Sequence, residues 1–139
     1  MGRILGVDLG ARRIGLALSD PTELIASPLR VVERSGDPRA DRQAIVAAAR
    51  AEDAATVVIG MPKEMSGRTG KAAAAAAAEV EALRALAPDI TFAVVDERLT
   101  TVIAQRSLIE AGMTRRKRKG TVDKVAAAVI LQSYLDARR

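Results

Sequence analysis

The chain has 139 residues, 49% of them apolar and 28% charged, with a net charge of +5; this is the size and balance of one ordinary domain with its own core. It contains no cysteine and no histidine, which excludes a disulfide framework, thiolate or imidazole metal sites, Ser-His-Asp triads and histidine-based nuclease chemistry. One Phe and one Tyr are its only aromatic residues, too few for a platform that stacks single-stranded bases.

Arg3 to Leu9 reads as a strand and Arg13 to Ser19 as a second, with Gly10-Ala11-Arg12 as the short link of a hairpin. Ser19-Asp20-Pro21 marks a turn, and Leu29 to Glu33 a third short strand. A polar stretch, RSGDPRAD, leads into a helix over Ala40 to Ala55, where Ile45, Ala48, Ala49 and Ala55 fall near helical spacing. Thr56 to Gly60 is a continuous apolar run, the pattern of a strand covered on both faces. MPKEMSGRTG is a Gly-, Pro- and Ser-containing loop. It opens a helix in which seven alanines precede Val80, Leu83 and Leu86, and Pro88 ends it. Ile90 to Val95 is the next buried strand, closed by Asp96-Glu97-Arg98. Thr100 or Thr101 can cap a helix running to Ala111, with Gly112 as its stop. Arg115 to Lys119 are five consecutive cations, expected to form a solvated loop, and Thr121 starts a last helix through about Ala137.

Three strands followed by alternating helices and strands imply an α/β chain: a mixed sheet, antiparallel in its first three strands, with helices on both faces. That is the element order of an RNase H-like fold, with no internal repeat and no boundary within 1–139. No apolar run approaches the length of a membrane span, and the N-terminus lacks the order of a signal peptide; a cytoplasmic chain is expected. The basic character is local. The last 27 residues hold eight of the 22 Lys and Arg but two of the 17 acidic residues. Arg115, Arg116, Lys117, Arg118 and Lys119 read two ways, as a solubilising turn or as a contact to a phosphate backbone.

Several carboxylates stand in apolar surroundings. Asp8 lies inside ILGVDLG, where a buried charge is costly unless something cationic answers it. Asp96 and Glu97 terminate TFAVVDE. Asp123 precedes Ala126, Ala127, Ile130 and Tyr134 at spacings that put it on, or at the edge of, the inward face of the last helix. Were the first and last strands neighbours, Asp8 and Glu97 would converge and the helix could add Asp123. Clustered carboxylates repel, and hard divalent cations such as Mg²⁺ relieve that repulsion. Two such ions can drive an in-line displacement at phosphorus without histidine. Each residue also has a plainer role: Asp8 in a structural ion pair, Asp96-Glu97-Arg98 as a strand-end turn, Asp123 as an acid at a helix N-terminus. Two nucleotide-binding patterns fail. GRTGK lacks the Gly at 65 and the Ser or Thr at 72 of a Walker A loop, and glycines at 6, 10 and 15 do not make GxGxxG.

Together, GVDLGARRIGLALSDP, VVIGMPKEMSGRTG, VVDERLTT and TVDKVAAAVILQSYLD resemble the YqgF/RuvX family of bacterial RNase H-like nucleases, over nearly the whole chain and in the family's order. The resemblance implies a nuclease that cuts the 5′ end of pre-16S ribosomal RNA, with similarity to Holliday-junction resolvases. It implies Asp8, Glu97 and Asp123 as catalytic ligands of Mg²⁺ or Mn²⁺, with Asp96 adjoining them. Arg13, Arg98 and Lys124 would orient phosphates, and Gly60, Pro62 and Gly67 would shape the loop beside the site. The expected partner is structured nucleic acid, either precursor rRNA or branched DNA, in contact with a ribosomal subunit in the first case, and the chain would act as a monomer or homodimer. A junction resolvase acting on DNA is the alternative enzyme. A non-catalytic ribosome- or nucleic-acid-binding protein is the alternative of another class. A relative of the actin-like ATPases would need a second lobe, for which 139 residues leave no room.

Overall fold

The computed structural model describes residues 2–10, 12–61, 70–96 and 115–138, the side chains at 61, 70–73, 76, 96 and 115–123 excepted. In chain order its elements are β1 (Arg3–Leu9), β2 (Arg13–Ser19), β3 (Ala26–Glu33), α1 (Pro38–Ala51), β4 (Ala54–Met61), α2 (Gly70–Leu86), β5 (Thr91–Asp96) and α3 (Arg115–Ala137). The five strands form one sheet in the order β3-β2-β1-β4-β5. β1, β2 and β3 are an antiparallel meander, while β4 pairs parallel with both β1 and β5. This is the mixed sheet that the sequence implied.

Alternation along the strands sorts the core into two layers. Leu5, Val7, Ile14, Leu16, Val57, Ile59 and Phe92 pack against Ile45, Ala48 and Ala49 of α1 and Val80 and Leu83 of α2. Ile4, Ala17 and Val58 pack on the opposite face against Ala126, Ala127, Ile130, Leu131 and Leu135 of α3. Helices therefore cover both faces. Leu86, in helical spacing with Val80 and Leu83, is 42% exposed, and Ala87, just past the end of α2, is buried.

Boundaries follow local chemistry. α1 begins two residues earlier than expected because the Asp37 carboxylate caps it, accepting from the Arg39 amide at 3.0 Å, with Pro38 in its first turn. It ends at Ala51, since Asp53 adopts a left-handed φ of 58° that no helix continues through, and β4 starts at Ala54. Arg115–Lys119 is not a loop: helix α3 begins at Arg115. Arg and Lys are good helix formers, and residues 115–120 extend a helix already packed on the sheet, so repulsion among the five cations does not unwind it. The helix expected over 100–111 lies outside the described residues.

Candidate active site

The carboxyl end of β1 carries the most unusual residue of the sheet. Asp8 is 5% exposed, a carboxylate buried on the face that α3 covers. It stands level with Gly15 of β2 on one side and Gly60 of β4 on the other. Residues level on adjacent strands share a face, so neither position beside Asp8 on the neighbouring strands carries a side chain. The strands themselves therefore do not crowd this buried acid. The sequence showed both glycines, but only the register reveals that they bracket Asp8.

α3 closes this face by close approach. A Cβ at Gly6 would lie 2.8 Å from the Leu131 Cβ and 3.0 Å from the Ala127 carbonyl oxygen, and one at Gly60 would run into the Ile130 side chain. Gly6 is needed for the helix to sit where it does, and Gly60 makes room for the Ile130 side chain. The far end of α3 is tied to the opposite end of the sheet. Gln132 Oε1 accepts from the Ala26 amide at 2.9 Å, and Gln132 Nε2 donates to the Leu24 carbonyl at 3.0 Å. The turn it grips is itself held by Asp20, whose carboxylate accepts from the Thr22 hydroxyl and from the Leu24 and Ile25 amides.

Past Asp8 the chain reverses in a tight hairpin. The Gly10 amide donates to the Asp8 and Arg13 carbonyls at 3.1 and 3.0 Å. Arg34, just beyond β3, clasps the same hairpin: its amide donates to the Arg12 carbonyl at 2.9 Å and its Nε to the Gly10 carbonyl at 2.7 Å. Behind Arg34 stands Asp41 of α1, 5% exposed, with Oδ2 at 3.8 Å from Arg34 Nη1. Asp41 accepts from the Ser35 amide and hydroxyl, both at 2.9 Å. The Ser35 amide above all, with Arg34 adding its charge, holds the Asp41 carboxyl below its usual range. The sequence carried a signal here, since Asp41 precedes Ile45, Ala48 and Ala49 on the buried stripe of α1.

Of the residues singled out by sequence, Arg13 begins β2 on the Asp8 face, half-buried and level with Glu33 of β3. Asp123 and Lys124 lie on α3, one turn before Ala127 and Ala128, and Lys124 is half-buried. Asp96 ends β5 level with Met61, and Val95 before it is level with Gly60. β1 and β5 are thus not neighbours: β4 separates them, and Asp8 stands about two strand spacings, roughly 10 Å, from the end of β5. Glu97, Arg98, Pro62 and Gly67 lie outside the described residues. Among the described residues no three acidic side chains gather as a metal cluster. None of the described helices is long and apolar enough to cross a membrane.

Known proteins resemble the chain in sequence and in fold. Residues 2–137 match the family model RuvX, described as "Holliday junction resolvase". Proteins described as "Putative pre-16S rRNA nuclease" from Nocardia farcinica and Mycobacterium tuberculosis are 41% and 42% identical to it, covering 99% of this chain and 79% and 80% of theirs. One from a Mycobacterium species is 45% identical, over 99% of this chain and 82% of that protein. Among solved structures, Thermus thermophilus RuvC in complex with a Holliday junction substrate superposes with a TM-score of 0.59 at 17% identity, over 99% of this chain and 96% of that one. At that identity the likeness is one of fold, and the fold is that of the RNase H-like resolvases. By the match over residues 2–137, and by relatives above 40% identity over nearly its whole length, the chain belongs to the RuvX family.

Proposed function

We propose that this chain is a divalent-metal-dependent nuclease that hydrolyses phosphodiester bonds in structured nucleic acid, with Asp8, Glu97 and Asp123 as its catalytic ligand set. The observation that carries the reading is the buried Asp8 carboxylate between Gly15 and Gly60, in a chain of the RuvX family.

Backbone placement supports the other two. α3 crosses Gly6 at Ala127 and Leu131 and is tied at its C-terminal end to Ala26, so it runs antiparallel to β1. Asp123 is one helical turn, about 6 Å, back from Ala127, and Asp8 is two strand residues, roughly 6.6 Å, beyond Gly6. Both therefore lie on the same side of that crossing, which supports Asp123 as a partner of Asp8. On β5, Val95 shares the Asp8 face. Glu97 itself is favoured as the partner by the resemblance that VVDERLTT carries. The separation of β1 and β5 by one strand suits carboxylates that share cations better than carboxylates in contact.

The donors are all hard oxygen, which fits Mg²⁺ or Mn²⁺. Divalent cations bound there would activate the attacking water and stabilise the leaving oxygen. The chain's own part is to anchor that charge with Asp8, to orient the scissile phosphate with Arg13, Arg98 and Lys124, and to neutralise the flanking backbone with Arg115–Lys119. The scarcity of aromatic side chains favours recognition of shape and phosphate over bases. The names of the relatives make precursor 16S rRNA, and hence the cytoplasm and the ribosomal subunit, the first substrate and setting to test. The family description favours a second reading, a four-way DNA junction.

Both substrates should be incubated with Mn²⁺ and with Mg²⁺, using wild-type and Asp8→Asn protein. Asp8→Asn should lose more than the roughly 10–100-fold that removing a supporting group costs a metal site, while circular dichroism shows the fold retained. A variant that cleaves at the wild-type rate would sink the assignment, and the substrate cut at the higher kcat/KM decides between the two readings.

A further inference from the structure

We propose that Arg34, backed by Asp41, is a positioning residue for catalysis: it fixes the β1–β2 hairpin and through it the aim of Asp8 and Arg13. The inference rests on the reading of Asp8 as a catalytic ligand. Neither Arg34 nor Asp41 lies on the Asp8 strand or on α3, and neither falls in the motifs that carry the family resemblance.

Only three residues separate β1 from β2, so the orientation of Asp8, two residues before Gly10, and of Arg13, three after it, depends on how that link is held. Two of its carbonyls, Gly10 and Arg12, go to Arg34, one to the side chain and one to the amide. The side-chain bond is the informative one. A guanidinium donating to a neutral carbonyl at 2.7 Å makes a charge-assisted bond, and its direction is set by what holds the rest of the fork. Asp41 holds it. The Asp41 carboxylate is anchored by both donors of Ser35, kept charged, and buried at the start of α1. The hairpin is therefore referenced to the α1 layer of the core through Asp41, Arg34 and Gly10. Arg34 is one-quarter exposed at its side chain and Asp41 nearly closed off, so water competes weakly for this pair. A lysine could reach one of the two partners as a point donor but cannot fork between them.

The expected consequence is a rate effect without a binding effect. A misplacement on the order of 1 Å at a reacting group costs up to about 100-fold in rate. Arg34→Ala should lower kcat by about 10- to 100-fold and leave KM within about twofold. Arg34→Lys should recover part of the loss, and Asp41→Asn should share its direction at a smaller size. The second measurement needs no activity. Hydrogen exchange of the Gly10 amide should speed up at least about tenfold in Arg34→Ala, with the amides of Leu5 and Val57 in the sheet unchanged. Unchanged Gly10 exchange overturns the proposal whatever the catalytic result. A raised KM with unchanged kcat overturns it too, by making Arg34 a substrate contact. If Arg34→Ala does not fold, the same readings are taken on Arg34→Lys and Asp41→Asn, with a smaller shift expected and none refuting. Asp8→Asn run alongside separates the two claims: a dead Asp8→Asn beside a fully active Arg34→Ala refutes only the positioning role, whereas an active Asp8→Asn refutes the assignment of the site.

Discussion

Gly6→Ala tests the close seating of α3 on the sheet. The added Cβ would lie 2.8 Å from the Leu131 Cβ, 3.0 Å from the Ala127 carbonyl oxygen and 3.4 Å from Leu131 Cδ2. Carbon atoms rest at about 3.5–4.0 Å, so the helix must withdraw by roughly 0.7–1.2 Å. Rotating a side chain cannot relieve the clash, because its nearest atoms are a Cβ and a backbone oxygen. Overpacking of this kind costs about 1–3 kcal/mol, offset by the 0.4–1 kcal/mol or so that alanine gains over glycine through the unfolded chain. A net loss of about 1–2 kcal/mol is expected, which at this chain length lowers Tm by roughly 3–8 °C. Thermal unfolding followed by circular dichroism reads the shift. Leu131 is fully buried, so Leu131→Ala alone should cost about 2–5 kcal/mol. Alanine keeps the Cβ that the new methyl meets, so in the Gly6→Ala background Leu131→Ala should leave most of the clash in place and cost about the same 2–5 kcal/mol. A Gly6→Ala protein as stable as wild type would refute the reasoning. Gly60→Ala should cost less than Gly6→Ala, since its nearest neighbours belong to the Ile130 side chain, whose end can swing away.

Two further outcomes are expected. The Thr22 hydroxyl first, and then the Ile25 amide, lower the Asp20 carboxyl from 3.8 to about 2. Because the folded value is the lower one, Asp20 stabilises the fold above about pH 4 and that contribution fades as pH falls toward about 2. The Tm gap between wild type and Asp20→Ala should narrow across that window, and a gap equal at roughly pH 7 and pH 2.5 would refute the role. Replacing Arg115–Lys119 with glutamine keeps helix propensity while removing charge, so the fold should persist. The slope of log affinity against log salt for a DNA junction should then become shallower by about 0.9 for every phosphate that the run neutralises; an unchanged slope would mean that the run does not touch the backbone.

Local chemistry makes the individual elements readable. β1 and β2 run over the very residues expected, because alternating and continuous apolar runs between glycine and proline signals leave few options for such strands. What a linear reading cannot supply is lateral order. Nothing in the local pattern of TFAVVD states that TVVIG lies between it and the first strand, and that placement changes the spacing of the acidic residues. The row Gly15–Asp8–Gly60 is hidden for the same reason: three residues far apart in sequence become one feature only through two registers. The basic run departs from expectation in a different way. Like-charge repulsion argues for a loop, but the intrinsic preference of Arg and Lys for helix prevails.

The clasp at Gln132 makes α3 a lever. The helix is fastened to the Asp20 turn by Gln132, and again by the ion pair of Arg138 with Glu23 at 3.2 Å, while its opening turns extend toward the Asp8 end. From Gln132 back to Arg115 is about 25 Å of helix. A tilt of about 5° around the fastened end therefore moves the basic run by roughly 2 Å and the Asp123 backbone by about 1 Å, yet scarcely disturbs Leu135. Nucleic acid drawn to those cations, as proposed, would pull on the long arm, and the displacement would arrive, geared down by about half, at the Asp123 backbone.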